Sequence, residues 1–128
     1  MATVIECITL DCRNPRRLAE FWIAALHYSV RKDQGHWIVI RPVSGLGPLL
    51  GFQQVPESKV VKNRVHLDLR PSAGVAMAAE VSRLEKLGAK AMRVVLDDPT
   101  DVHTIVQDPE GNEFCVMEPL PASQSSCK

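Results

Sequence analysis

The chain has 128 residues, 45% of them hydrophobic and 23% charged, with 15 Lys and Arg against 15 Asp and Glu. That length fits one domain and buries enough surface for a core without staples. Zero net charge with no Lys/Arg cluster argues against a nucleic-acid or membrane-surface partner, and no apolar run is long enough to span a bilayer.

The start, Met1-Ala2-Thr3-Val4-Ile5-Glu6, lacks the basic and apolar regions of a secretion signal, so a cytoplasmic protein is expected. In that compartment Cys7, Cys12, Cys115 and Cys127 read as free thiols, and no pair has Cys-x-x-Cys spacing. Ile5 to Cys12 alternates with period two, as a half-buried strand does. Asn14-Pro15 opens a helix, Asn as N-cap and Pro in the first turn. Leu18, Phe21, Trp22, Ala25 and Leu26 form its apolar stripe, and it stops near His27. Tyr28–Lys32, Trp37–Arg41 and Leu49–Gln53 read as strands, separated by Asp33-Gln34-Gly35 and by Ser44-Gly45-Leu46-Gly47-Pro48.

Residues 55–63 read as a linker. Arg64–Arg70 is a second leading strand with Val65, Leu67 and Leu69 on one side and His66, Asp68 and Arg70 on the other. A helix is expected from Pro71-Ser72, buried through Met77, Val81 and Leu84 and ended by Gly88. Ala89–Val95, Val102–Gln107 and Glu113–Met117 close the pattern, with Asp108-Pro109-Glu110-Gly111-Asn112 as a turn before the last strand. The tail, 121–128, is Ser/Gln-rich and expected to be disordered.

The two halves repeat. Ile8-Thr9-Leu10 matches Leu67-Asp68-Leu69, and the helix ends match at Leu26 and Leu87. The expectation is an α+β fold: two tandem βαβββ modules, 4–55 and 64–118, forming a curled, mostly antiparallel eight-stranded sheet in one domain over 1–120. A curled sheet encloses its helix-free face around a central cavity, which reads as a ligand pocket; plain solvent exposure of that face is the competing reading.

The repeat, with Asn63-Arg64-Val65-His66-Leu67-Asp68-Leu69, Leu87-Gly88-Ala89, Phe21-Trp22 and Asp108-Pro109-Glu110-Gly111-Asn112-Glu113-Phe114, resembles the vicinal oxygen chelate superfamily. That group includes glyoxalase I, bleomycin-resistance proteins and extradiol dioxygenases, and the resemblance runs to about Glu118. It implies a concave site with a divalent metal held by the first and fourth strands of each module. Those positions here are Cys7, Gly51, His66 and Cys115. Only His66 belongs to the family's usual His/Glu/Gln set, and Gly51 has no side chain. Classical metal-dependent glyoxalase I activity is therefore not expected, and no cofactor is expected to be required. A Cys7–His66–Cys115 set for zinc, nickel or iron stands as the minor alternative to apolar packing of the two thiols.

The catalytic candidates are His66, as acid or base, and Asp68; each has a structural alternative, a backbone-tied His and a solvated ion pair. Cys7, Thr9, Trp37, Gln53, Arg70, Glu113 and Cys115 are the ligand-binding candidates, Trp37 as a stacking wall or as core. Two functions follow from the resemblance. One is a lyase or isomerase acting on a small metabolite. The other is a protein that sequesters a drug without turnover, as the bleomycin-resistance branch does. A homodimer with a small-molecule partner is expected in either case.

Overall fold

The computed structural model describes residues 2–121; the expected tail and Cys127 lie outside them. The chain divides into two compact units, Met1–Val60 and Val61–Lys128, which contain the two expected modules.

In the first unit the order is β1 (Cys7–Cys12), α1 (Pro15–Leu26), β2 (Tyr28–Asp33), β3 (Trp37–Pro42) and β4 (Leu49–Gln54). Asn14 caps the helix, its side chain accepting from Arg17 N at 3.2 Å, and Pro15 fills the first turn where an N–H has no partner. His27 ends it in the left-handed conformation (φ 58°), the one non-glycine residue at positive φ among those described. β1 pairs parallel with β4, and β4–β3 and β3–β2 pair antiparallel. Leu18 and Trp22 from the helix meet Ile38, Ile40, Leu50 and Phe52 from the sheet, all fully buried. These six supply most of the driving force for this unit, at roughly 1.5–3 kcal/mol for each large side chain removed from water.

The second unit repeats the plan with β5 (Asp68–Leu69), α2 (Met77–Leu87), β6 (Lys90–Val95), β7 (His103–Gln107) and β8 (Glu113–Met117). The sheet orders correspond, β1-β4-β3-β2 and β5-β8-β7-β6, so the eight expected strands form two four-stranded mixed sheets. Leu84, Val106, Phe114 and Val116 make its core.

The Asp108–Asn112 turn is held by a buried carboxylate. Asp108 Oδ1 accepts from Glu110 N (2.9 Å), Asn112 N (3.0 Å) and Asn112 Nδ2 (3.2 Å), and Asp108 N donates to Asn112 O. Gly111 supplies the positive φ of 88°. This fixes the start of β8 and so the place of Cys115.

Two expectations fail here. The second leading strand is paired only at 68–69, not over 64–70, and Val65 is 73% exposed rather than packed under the helix. The reason is at the start of β8, where Asn63 N donates to Glu113 Oε1 at 2.9 Å and Asn63 Nδ2 to Glu113 O at 3.3 Å. The linker takes that end of β8, so residues 64–66 form no ladder; Leu67 O still accepts from Cys115 N at 2.9 Å. The second helix starts at Met77, not at Pro71-Ser72. Val75 N donates to Ser72 O and Gly74 sits at φ 83°, so the chain makes a turn before it can wind.

Candidate functional site

Register decides which side chains share a face. In the first sheet Thr9 lies opposite Gly51, Val39 opposite Gly51, and Trp37 opposite Gln53. In the second, Asp68 lies opposite Cys115, Ile105 opposite Cys115, and His103 opposite Met117. Thr9 and Asp68, Gly51 and Cys115, and Trp37 and His103 therefore hold equivalent places on the helix-free faces.

In the second unit the helix-free face gathers His66, Asp68 and Cys115. His66 Nδ1 is 3.1 Å from Asp68 Oδ1 and 3.8 Å from Cys115 Sγ. With Nδ1–H donated to the carboxylate, Nε2 keeps its lone pair, and no partner meets it among the described residues. One ring nitrogen faces both neighbours, so this is not a relay from thiol through imidazole to carboxylate, which needs both nitrogens. The imidazole and carboxylate are about half exposed, at 47% and 53% of their side-chain surface, while Cys115 is buried. Burial pushes the Cys115 thiol up to about 11, and the neighbouring Asp68 carboxylate adds to the shift. Cys115 thus holds its proton at neutral pH and is no nucleophile there.

The same three residues offer a set of metal ligands. Their ligand atoms all lie within 4.8 Å of one another. Tetrahedral zinc with bonds near 2.0–2.3 Å separates its ligands by roughly 3.3–3.8 Å, and the Nδ1–Sγ spacing falls at the edge of that range. One imidazole, one carboxylate and one thiolate suit zinc and leave a position open. The donor set fits a divalent ion. It differs from the Cys7–His66–Cys115 set that stood as the minor alternative and draws on both units: within the second unit alone, Asp68 completes the triangle. The family resemblance brought the two cysteines together, and Asp68 was a catalytic candidate rather than a ligand.

In the first unit the equivalent place is filled differently. A Cβ on Gly51 would stand 2.8 Å from Trp37 Cη2, 3.1 Å from Cζ3 and 3.0 Å from Thr9 Oγ1. The indole therefore lies across Gly51 on the helix-free face, and Trp37 remains partly exposed. Sequence reasoning singled out Gly51 only as a missing ligand; its part as the floor beneath an indole needs the strand register. Cys7 Sγ lies 3.8 Å from both Ile8 O and Thr9 Oγ1, and Gln53 is half-buried.

Two of the ligand-binding candidates have structural partners. Glu113 holds the linker through Asn63, and the Arg70 guanidinium donates to Glu118 O at 2.7 Å. His103 donates Nδ1–H to Asp101 O at 2.8 Å, and His36 does the same to Gln34 O.

A model of the glyoxalase-like domain matches residues 7–117. The chain belongs to that family. Solved structures agree on the fold. A glyoxalase/bleomycin resistance protein/dioxygenase family enzyme from Burkholderia phytofirmans superposes with TM-score 0.75 at 13% identity, over 92% of this chain and 100% of that one. The genomically encoded fosfomycin resistance protein FosX from Listeria monocytogenes, in complex with Mn(II) and a dihydroxypropylphosphonic acid, gives 0.74 at 10%, over 98% and 95%. A bleomycin resistance determinant encoded on transposon Tn5 gives 0.63 at 14%, over 93% and 100%. No curated protein matches the sequence. No helix among the described residues is long and apolar enough to cross a membrane.

Proposed function

We propose that this glyoxalase-like protein is a lyase or isomerase that moves a proton on a small metabolite, with His66 Nε2 as the acid or base. The observation that carries this reading is the Asp68–His66 pair: a carboxylate fixes Nδ1 and leaves the other nitrogen open. Asp68 selects the tautomer and stabilises the imidazolium that forms when Nε2 takes a proton. The buried Cys115 thiol packs against Nδ1 and limits rotation of the ring. Where a divalent ion is bound, His66, Asp68 and Cys115 would hold it, and it would supply a Lewis acid for a carbonyl or hydroxyl oxygen.

The test is deuterium wash-in from D2O, followed by NMR, across a panel of small 2-oxo and 2-hydroxy compounds. Wild type is expected to exchange at least one compound. His66→Gln is expected to lose about 10²–10⁴-fold and Asp68→Asn a smaller part of that. Equal exchange by wild type and His66→Gln would sink the assignment. Elemental analysis of protein purified without a His-tag or chelator, beside His66→Ala, reads the metal separately.

A second reading is sequestration of a ligand without turnover. The indole laid across Gly51 favours it, because a partly exposed flat ring is a stacking surface. Stoichiometric binding that quenches Trp37 emission, with no exchange of any compound, is the result that would select it. We further propose a homodimer; a monomer mass in light scattering at micromolar protein would exclude one.

A further inference from the structure

Arg41 has no ion-pair or hydrogen-bond partner among the described residues, and it faces a cleft of about 520 Å³ in the first unit. The cleft lies beside the helix-free face. Arg41 pairs across the strands with Ser29, so a guanidinium and a hydroxyl stand about 5 Å apart at their Cβ atoms. Leu49, which lies opposite Cys7, gives the cleft an apolar floor.

The lip of the cleft is the 43–48 loop, and it is built rather than slack. Val43 N donates to His27 O at 3.2 Å, Gly45 N to Pro42 O at 3.2 Å, and Leu46 N to Ser44 Oγ at 3.3 Å. Tyr28 Oη reaches over to donate to Pro48 O at 2.8 Å. Gly45 and Gly47 adopt φ of 82° and 115°, which side chains resist, and a Cβ on Gly47 would press on Tyr28 Oη at 3.2 Å. This fastening leaves Val43 and Leu46 largely exposed, so burying apolar surface does not explain it. A fixed loop with apolar tips, an apolar floor and one unpaired guanidinium describes a receptor for a molecule with an acidic head and an apolar body.

We propose that this cleft binds a small organic anion, a carboxylate or phosphate monoester, with its acidic group on Arg41 and Ser29 and its apolar part over Leu49 and Val43. The site lies wholly in the first unit and stands apart from the reading of His66.

The test is an NMR titration of the isotope-labelled full chain with octanoate, inorganic phosphate and octanol. Octanoate is expected to give saturable shifts at Arg41 Nε and at the amides of Val43, Gly45 and Gly47. It should saturate at roughly tenfold lower concentration than phosphate, since burial of two methylene groups suffices for that ratio. Arg41→Gln should weaken octanoate about tenfold or more, with Arg41→Lys recovering part of the loss. No saturable shift, shifts that persist in Arg41→Gln, or octanol binding as tightly as octanoate would overturn the proposal. Phosphate binding as tightly as octanoate would overturn the apolar half of it.

Discussion

Gly51→Ala is the perturbation that tests the first helix-free face most directly. Its Cβ would sit 2.8 Å from Trp37 Cη2 and 3.1 Å from Cζ3, where carbon atoms prefer about 3.5–4.0 Å. Gly51 is not among the positive-φ residues, so alanine itself meets no backbone strain. Two terms compete. Removing a glycine from a strand stabilises by about 0.4–1 kcal/mol through the unfolded chain. Overfilling a packed site costs about 1–3 kcal/mol. Here the obstructing atoms are at the far end of a partly exposed side chain, which can swing away, so the lower half of that cost applies. The expected net loss is about 0.5–1 kcal/mol, read as a lower urea midpoint with unchanged slope. In a Trp37→Ala background the two ring contacts are gone while Thr9 Oγ1 stays at 3.0 Å, and the same substitution should become neutral or stabilising. The coupling in the double-mutant cycle should reach about 1 kcal/mol, and Trp37 emission should shift to the red while Trp22, fully buried, does not change. Coupling below about 0.3 kcal/mol would mean that the indole does not rest on Gly51, and the stacking surface would go with it.

Further outcomes follow from the second unit. With its thiol near 11 rather than 9, Cys115 should present about a hundredfold less thiolate at pH 8 than an ordinary cysteine; alkylation timed by mass spectrometry checks this, and Asp68→Asn should speed it. The folded state holds this proton more tightly than the unfolded chain, so stability is full below about pH 9 and falls as pH rises through 11, by at most about 3 kcal/mol; Cys115→Ser, whose hydroxyl does not titrate there, should flatten that slope in urea melts. Asp108→Ala strips four side-chain hydrogen bonds from a buried turn and should cost about 2–4 kcal/mol, with Asp108→Asn recovering part; a loss under 1 kcal/mol in urea melts would refute the structural reading of the turn.

The parts of the fold that were legible in the sequence are those fixed by local chemistry. Asn14-Pro15 and the Leu18–Trp22 stripe mark α1 because a cap and a 3.6-residue period act within a few residues. Asp108 to Asn112 is legible because Asp, Gly and Asn at those spacings make their own turn. What was not legible depends on partners distant in sequence. Arg64 to Arg70 alternates as a strand should, yet Asn63 docks on Glu113, fifty residues away, and ends the ladder early. Alternation reports which side chains prefer burial; it does not report whether a backbone partner is free. The candidate site divides the same way. His66 and Asp68 are two apart on one segment, so alternation alone puts them on one side. Placing Cys115 against them required β8 to pair in parallel with β5; the family resemblance implied that His66 and Cys115 share a site, but not that pairing. Trp37 over Gly51 required a side-chain rotamer, which no pattern in the chain encodes.

The repeat also shows why the candidate acid-base residues fall in the second unit. Equivalent positions carry Thr9 and Asp68, Gly51 and Cys115, Trp37 and His103. Each difference points the same way. Asp68 can orient an imidazole or bind a cation, whereas the hydroxyl of Thr9 does neither well at neutral pH. Cys115 offers a ligand atom, whereas Gly51 offers none and is needed bare so that the indole can lie down. His103 is tied back to Asp101, whereas Trp37 spreads across its own face. A ligand side chain at Gly51 would therefore have to displace Trp37 first. The His66–Asp68 pair and the Cys115 thiol are left together on β5 and β8 and the residues leading into them, and the flat aromatic surface and the unpaired Arg41 on the first sheet.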